Sequence, residues 1–339
     1  MTVLGLDIGG ANLKAAASDQ RSAAEPFPLW KEPERLPDRL RVLISRFADC
    51  DQVAVVMTGE LADCYPTKAD GVRHIVSAVV AAAGARRVGF WCTAGRFLTS
   101  DAARSETQSV AAANWHALST WAGRLAPTGS AVLIDIGTTT TDIIPLLDGR
   151  PCARGLTDPE RLRSRELVYT GVRRTPLCAL SPTAPWDDET IGVAAELFAT
   201  SLDVYLLLGD IPENPADCET ANGGPATRAA AQDRLARMVC GDRHEVNGQR
   251  SMELARWFAE RQRHQIAEAV WTVIGRTASP VGTVITSGSG EFLARRVVAG
   301  MPELAQSHLI SLGETLSPEV ASAACALAVA LLATERMSR

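Results

Sequence analysis

Asp135-Ile136-Gly137-Thr138-Thr139-Thr140-Thr141-Asp142-Ile143 follows an apolar run, Ala131 to Ile134. Four apolar residues before Asp-x-Gly read as a buried strand that must turn sharply. The glycine lets the backbone come close to a ligand, and the threonines line the turn with hydroxyls and N–H groups. The pattern suits a phosphate cradle on a β-hairpin, with a carboxylate at each end placed to hold a metal ion. Taken alone, the same letters also suit a plain hairpin of β-prone threonines.

The chain states the motif twice. Val3-Leu4-Gly5-Leu6-Asp7-Ile8-Gly9-Gly10-Ala11-Asn12-Leu13-Lys14 repeats the apolar strand, the Asp-Ile-Gly turn and a second strand to Ala17. A further pair supports duplication. Val55-Val56-Met57-Thr58-Gly59-Glu60-Leu61 matches Val284-Ile285-Thr286-Ser287-Gly288-Ser289-Gly290-Glu291-Phe292. In both, a buried strand runs into a Thr/Ser-Gly turn and a glutamate. Fixed internal similarity of this kind signals repeated architecture.

The 339 residues fit about two domains. We place the division at 1–127 and 128–339, with an inserted region at about 155–250. Each half reads β-β-β-α-β-α-β-α, the second interrupted by the insert. The expected third strand is Phe27 to Trp30, and a helix is expected near Asp188 to Leu208. Another is expected over Thr107 to Leu125, with Trp115 and Trp121 buried. Two such α/β halves facing a cleft would bring both Asp-Ile-Gly hairpins to one site.

Net charge is −5, which disfavours nucleic acid as a partner. Eight cysteines show no metal-ligand spacing and suit a reducing, cytoplasmic setting. Asp7 interrupts the apolar start, so no signal peptide is expected. Val320 to Ala333 is too short to span a bilayer, so no membrane partner is expected. A homo-oligomer is compatible with the chain.

The pattern resembles the acetate/sugar kinase, heat-shock chaperone and actin superfamily, whose ribonuclease-H-like domains are duplicated. Asp7-Ile8-Gly9-Gly10 looks like its first phosphate loop, Asp135 to Asp142 its second, and Ser287-Gly288-Ser289-Gly290 its adenosine loop. Several segments are similar to the hydantoinase/oxoprolinase-like proteins of one-carbon pathways. They are Asp7 to Asn12, Thr58 to Cys64, Asp135 to Pro145, Gly155 to Leu162 and Tyr169 to Pro176. Specifically, they look like the archaeal methanofuran synthases and their bacterial counterparts in methanopterin-linked formaldehyde oxidation.

This resemblance implies a transferase that joins an aminomethylfuran-methyl diphosphate to the phenol of a tyramine- or tyrosine-type acceptor. An aryl ether forms and diphosphate leaves. Mg²⁺ is the implied cofactor, with Asp7, Asp135 and Asp142 on the metal side. Gly9, Gly10, Asn12, Lys14, Gly137, Thr138, Thr139 and Thr140 would bind phosphate. Asp7, Glu60 and Asp135 would be catalytic, Glu60 as base for the phenol, although a helix-start carboxylate explains Glu60 equally well. Asp158, Arg161, Arg173, Arg174, Ser287, Gly288 and Gly290 would contact substrate. A helix cap accounts for Asp158 and Arg161 as readily. Cys64 reads as a structural thiol. An ATP-dependent kinase or oxoprolinase-type ATPase is the alternative, resting on the Ser287 to Gly290 turn.

Overall fold

A computed structural model describes residues 2–337. The first half begins with β1 (Val3–Ile8), β2 (Asn12–Ala17) and β3 (Ser22–Pro26). Then come α1 (Leu36–Ser45), β4 (Gln52–Met57), α2 (Lys68–Ala83), β5 (Arg87–Trp91) and β6 (Phe97–Leu98). Short helices α3 (Ser100–Ser105) and α4 (Thr107–Val110) lead to α5 (Asn114–Ala122). The sheet order is β3-β2-β1-β4-β5-β6, with β1, β4 and β5 parallel. β4 is buried along its whole length, as a central parallel strand covered on both faces should be.

The second half repeats the plan. β7 (Ser130–Ile136) and β8 (Thr141–Leu147) form the hairpin, and β9 (Arg150–Pro151) pairs with β8. Next come α6 (Asp158–Ser164), β10 (Leu167–Val168), the hairpin β11 (Thr183–Trp186) and β12 (Glu189–Gly192), α7 (Ser201–Leu208) and α8 (Arg228–Arg237). The long α9 (Gly248–Ile274) leads to β13 (Thr283–Ser287), α10 (Glu291–Ala299) and β14 (His308–Ser311). α11 (Leu312–Thr315), α12 (Pro318–Ser322) and α13 (Ala324–Arg336) close the chain. The sheet order is β10-β8-β7-β13-β14. β13 lies parallel beside β7 as β4 lies beside β1.

Three local expectations need correction. The third strand is Ser22–Pro26, not Phe27 to Trp30. Phe27 and Leu29 instead turn inward, 2% and 0% exposed, and their N–H groups donate to the Ala11 and Gly10 carbonyls of the first hairpin. Only Ser201–Leu208 is helical in the stretch expected as one helix. β11 and β12 occupy the region before it, turning at Asp187 with φ 52°. Aspartate tolerates that left-handed geometry, and the local turn outweighs helical periodicity. The helix expected over Thr107 to Leu125 breaks between α4 and α5, where Ala112 has φ 47°.

α5 and α13 pack on each other and on opposite sheets. Trp115, Leu118 and Ala122 of α5 lie against Leu133, Ile144 and Leu146 of the second sheet. Val329, Leu332 and Ala333 of α13 lie against Val3, Ala54 and Val56 of the first. The chain's last helix therefore completes the core under its first strand. Gly5 makes this possible: a Cβ there would sit 1.8 Å from the Ala326 carbonyl oxygen. No helix among the described residues is long and apolar enough to cross a membrane.

Candidate active site

The two hairpins close in the same way. Gly9 N–H donates to the Asn12 carbonyl at 3.0 Å, and Gly137 N–H donates to the Thr140 carbonyl at 2.8 Å. Antiparallel register sets Asp7 opposite Lys14 and Asp135 opposite Asp142. The neighbouring strands bond to matching points. Thr58 and Gly59 N–H groups donate to the Ile8 carbonyl, and Gly290 N–H donates to that of Ile136. Gly10 has no heavy atom within 4 Å of where a side chain would start, so the space beside its Cα is open. Asn12, Lys14, Gly137, Thr138, Thr139 and Thr140 are half-buried at the two turns.

The acidic groups lie deep in the molecule. Burial pushes the Asp7 carboxyl up, with Lys14 opposing. Its Oδ1 is buried without a hydrogen-bond partner, although the rest of the side chain keeps some access. Asp135 is raised to about 7, first by burial, then by the like charge of Asp142, with a smaller push from Asp7. Ser287, its ladder neighbour, and Lys14 draw it back down. Asp142 is also raised by burial, but Arg161 pulls it down.

That arginine corrects two expectations. Asp142 is not a free metal-side carboxylate, because Arg161 Nη2 is hydrogen-bonded to its Oδ1. Arg161 in turn is not an open substrate contact: it is 1% exposed. Its guanidinium lies over the Trp115 ring at 4.2 Å, and Nη2 also donates to the Glu166 carbonyl. The local sequence dictates this placement. Thr157 and Glu160 form a capping box that starts α6, so Arg161 follows Asp158 by one helical turn. Glu166 accepts from the Arg154 and Gly155 N–H groups and ties the loop before α6 to the residue after it. Gly155 must be glycine, since a Cβ would lie 2.6 Å from the Arg161 nitrogen.

Charge continues from Arg161 across to the first half. Asp158 Oδ1 lies 3.9 Å from Arg161 Nη1, and Asp158 Oδ2 accepts from Lys68 Nζ at 2.8 Å. Lys68 opens α2, so this ion pair joins the two halves. Beside it lies Glu60, 1% exposed, with Oε2 buried and unpartnered. Burial raises Glu60 to about 7, its own backbone and Lys68 oppose, and Asp158 adds to the rise. The Ala112 N–H also lowers it, and Ala112 is the residue with φ 47°. Backbone held in this region is a sign of a constrained site. Gly71 of α2 seats the Glu60 backbone, for a Cβ there would meet the Glu60 carbonyl oxygen at 2.1 Å.

The remaining candidates lie around this network. Backbone N–H groups of Arg173 and Arg174 both donate to the Thr138 carbonyl at 3.0 Å. The Arg173 side chain is engaged by Asp217, and that of Arg174 is exposed over the Trp30 ring at 5.2 Å. Gly288 has φ 91°, and a Cβ would lie 2.3 Å from the Ile136 carbonyl oxygen. A Cβ on Gly290 would clash with Ile136 and Val172. Close packing on β7 thus accounts for both glycines without an adenosine. Sequence reasoning missed Lys68, Trp115, Trp30 and Cys325. Lys68 had a signal, the cap Thr67-x-x-Asp70 that fixes it in the first turn. Cys325 had none: it enters from α13, where burial and the charges of Asp7 and Asp135 push its thiol up.

Among the described residues, no group of three His, Cys, Asp or Glu side chains forms a closed metal-ligand set. Cavities of about 400 and 420 Å³ border α9 and share no residue with the charged network. Charge, not volume, marks the site.

Two open β-sheets, each fronted by a phosphate-type hairpin, define a duplicated ribonuclease-H-like, actin-like fold. A solved type IV pilus biogenesis complex of PilM and PilN has a similar chain. It has a TM-score of 0.50 and 13% identity, and 97% of each chain is covered. Residues 51–336 match the family model for hydantoinase/oxoprolinase, and the chain belongs to that family. A synthase from Methanocaldococcus jannaschii is 33% identical over 99% of both chains. Its named product is a furan-2-yl methanamine bearing a phenoxymethyl group with a gamma-L-glutamylaminoethyl chain. A synthase of the same name from Methanococcus vannielii is 30% identical, covering 60% of this chain and 90% of that one.

Proposed function

We propose that this protein is a transferase of methanofuran or methylofuran biosynthesis. It joins an aminomethylfuran-methyl diphosphate to the phenol of a tyramine- or tyrosine-type acceptor and releases diphosphate. The observation that carries this reading is the end-to-end similarity to the Methanocaldococcus jannaschii synthase. The charged network supports it.

The phenol oxygen forms a bond to the methylene carbon as the carbon–oxygen bond to diphosphate breaks. The electron pair leaves with diphosphate, and the phenol proton goes to Glu60. A phenol of reference pKa about 10 needs such a base, and a carboxylate raised to about 7 is better matched than an ordinary one. The furan ring stabilises charge developing at the carbon, so the protein's main task is to neutralise the leaving group. Lys14 and the backbone at Gly10 do this from one hairpin, and the threonine turn does it from the other.

Asp7 and Asp135 fit a divalent cation. Both resist ionisation by burial, Asp7 adds to the rise at Asp135, and Asp7 Oδ1 has no hydrogen-bond partner. Mg²⁺ bound there, largely through water, would supply positive charge beside the diphosphate. Arg161 would neutralise Asp142, the like charge opposite Asp135.

The test is product formation from purified furan diphosphate and candidate phenols in ATP-free buffer with Mg²⁺, followed by mass spectrometry. We expect the aryl ether and diphosphate. Strict dependence on added ATP, with ADP or AMP appearing in step with product, would overturn the reading.

A further inference from the structure

Gln262 is a fully buried amide on the inner face of α9, with apolar Phe258 and Ile266 one turn to either side. A buried amide is costly unless its polar atoms are paired. Here both ends are. Nε2 donates to Thr170 Oγ1 and to the Gly171 carbonyl, each at 2.8 Å. Oε1 accepts from the Tyr205 hydroxyl at 2.6 Å. A backbone carbonyl can only accept, so Gly171 fixes which end of the amide is nitrogen, and Tyr205 must be the donor at the other. Tyr205 is itself buried, edge-on to Phe292 of α10 with ring centroids 4.9 Å apart. The amide is therefore locked between α7, α9 and the segment that starts at Thr170.

That segment lies directly under the second phosphate turn. A Cβ on Gly171 would sit 2.5 Å from the Thr139 nitrogen and 2.6 Å from the Gly137 carbonyl oxygen. Val172 N–H donates to the Gly137 carbonyl, and Arg173 and Arg174 N–H groups donate to that of Thr138, each at 3.0 Å. A trans peptide is planar, and its C=O and N–H point opposite ways. Holding the Gly137 and Thr138 carbonyls on this segment therefore directs the Thr138 and Thr139 N–H groups the other way. Successive N–H groups presented together make an anion-binding concavity. We propose that Gln262 is a positioning residue for this turn. By gripping Thr170 and Gly171 it keeps the Thr138 and Thr139 N–H groups in the orientation that binds diphosphate, the ligand being taken from the transferase reading. Ser201 Oγ and Thr175 Oγ1 also donate to the Gly171 carbonyl, at 2.7 and 3.0 Å, so loss of Gln262 loosens the turn without releasing it. Donors fixed before the charge arrives need no reorganisation when it does.

Calorimetry with inorganic diphosphate and Mg²⁺ reads the turn without turnover. Gln262→Met keeps the bulk and removes both donors. It should weaken diphosphate about tenfold, well below its melting temperature, the scale of one hydrogen bond to a charged group. Tyr205→Phe keeps both donors and frees only the far end of the amide, so it should weaken binding by about threefold. Phe258→Leu, one turn away on the same face of α9, is the stability control. It should lower Tm and leave diphosphate affinity at the wild-type level. Wild-type affinity in Gln262→Met overturns the role, as does a loss in Phe258→Leu equal to that in Gln262→Met. If Gln262→Met does not fold, Tyr205→Phe decides, and unchanged affinity there overturns the role. Wild-type protein that does not bind inorganic diphosphate overturns it too. Ether formation is scored separately. Wild-type protein that makes ether while Gln262→Met binds diphosphate normally defeats only this inference. Wild-type protein that binds diphosphate through Gln262 but makes no ether defeats the transferase reading and leaves the positioning role standing.

Discussion

The two hairpins share one backbone but balance charge differently. In the first, the carboxylate at the strand end faces a lysine, Asp7 against Lys14. In the second, the same ladder position holds a second carboxylate, Asp135 against Asp142. Directly opposed like charges weaken a strand pair. The second half answers with Arg161, delivered to Asp142 by α6 and β10, which the first half does not have. Each hairpin therefore ends with one cation. The lysine comes from the hairpin itself and is only half-buried. The arginine comes from the insert and is enclosed. On the proposed reading, Lys14 serves the ligand and Arg161 holds the site together.

Breaking the enclosed pair should have the largest effect. Arg161→Ala leaves Asp142 buried and uncompensated, and should cost about 3–5 kcal/mol of stability in urea unfolding. A cost of under about 1 kcal/mol would mean that Asp142 does not depend on Arg161. Asp135→Asn should lower turnover at least about a hundredfold with folding intact by circular dichroism, the scale of losing a principal electrostatic stabiliser. Near wild-type turnover at saturating Mg²⁺ would remove Asp135 from the chemistry. Lys14→Ala should weaken inorganic diphosphate binding by about tenfold, as expected for one charge-assisted contact. If Lys14→Ala instead destabilises the fold as Arg161→Ala does, the distinction between the two hairpins fails.

The smallest effect concerns Glu60. Its folded pKa, about 7, lies above the ordinary carboxylate value. Its contribution to stability is therefore full below the unfolded pKa and falls as pH rises through about 7. Glu60→Gln removes the ionisation, so its melting temperature should gain on wild type between about pH 5 and about pH 8. A difference that does not change with pH would show that Glu60 ionises normally.

The duplicated architecture was legible because Asp-Ile-Gly occurs twice after an apolar run, and a strand-turn-strand signal is local. The opposed pairs were legible too: seven residues separate Asp7 from Lys14 and Asp135 from Asp142, and a hairpin with one turn geometry must align both. Phe27 and Leu29 misled, because apolar letters mark burial without saying whether strand or loop provides it. Asp187 misled in the same way, since a single left-handed residue makes β11 and β12 a hairpin.

Contacts between distant residues had no such signal. Nothing near Asp142 in sequence announces Arg161, and nothing near Asp158 announces Lys68, 90 residues away. Trp30 meets Arg174 only because each neighbourhood is bonded to a different hairpin. Cys325 reaches the site only because α13 returns to the first strand over Gly5. Sequence determined the two strand-end carboxylates, because hydrogen-bond registry is set by neighbours along the chain. Tertiary structure alone decided which cation neutralises which carboxylate, because that depends on how the two halves and the insert pack, and on the burial that makes each unpaired charge costly.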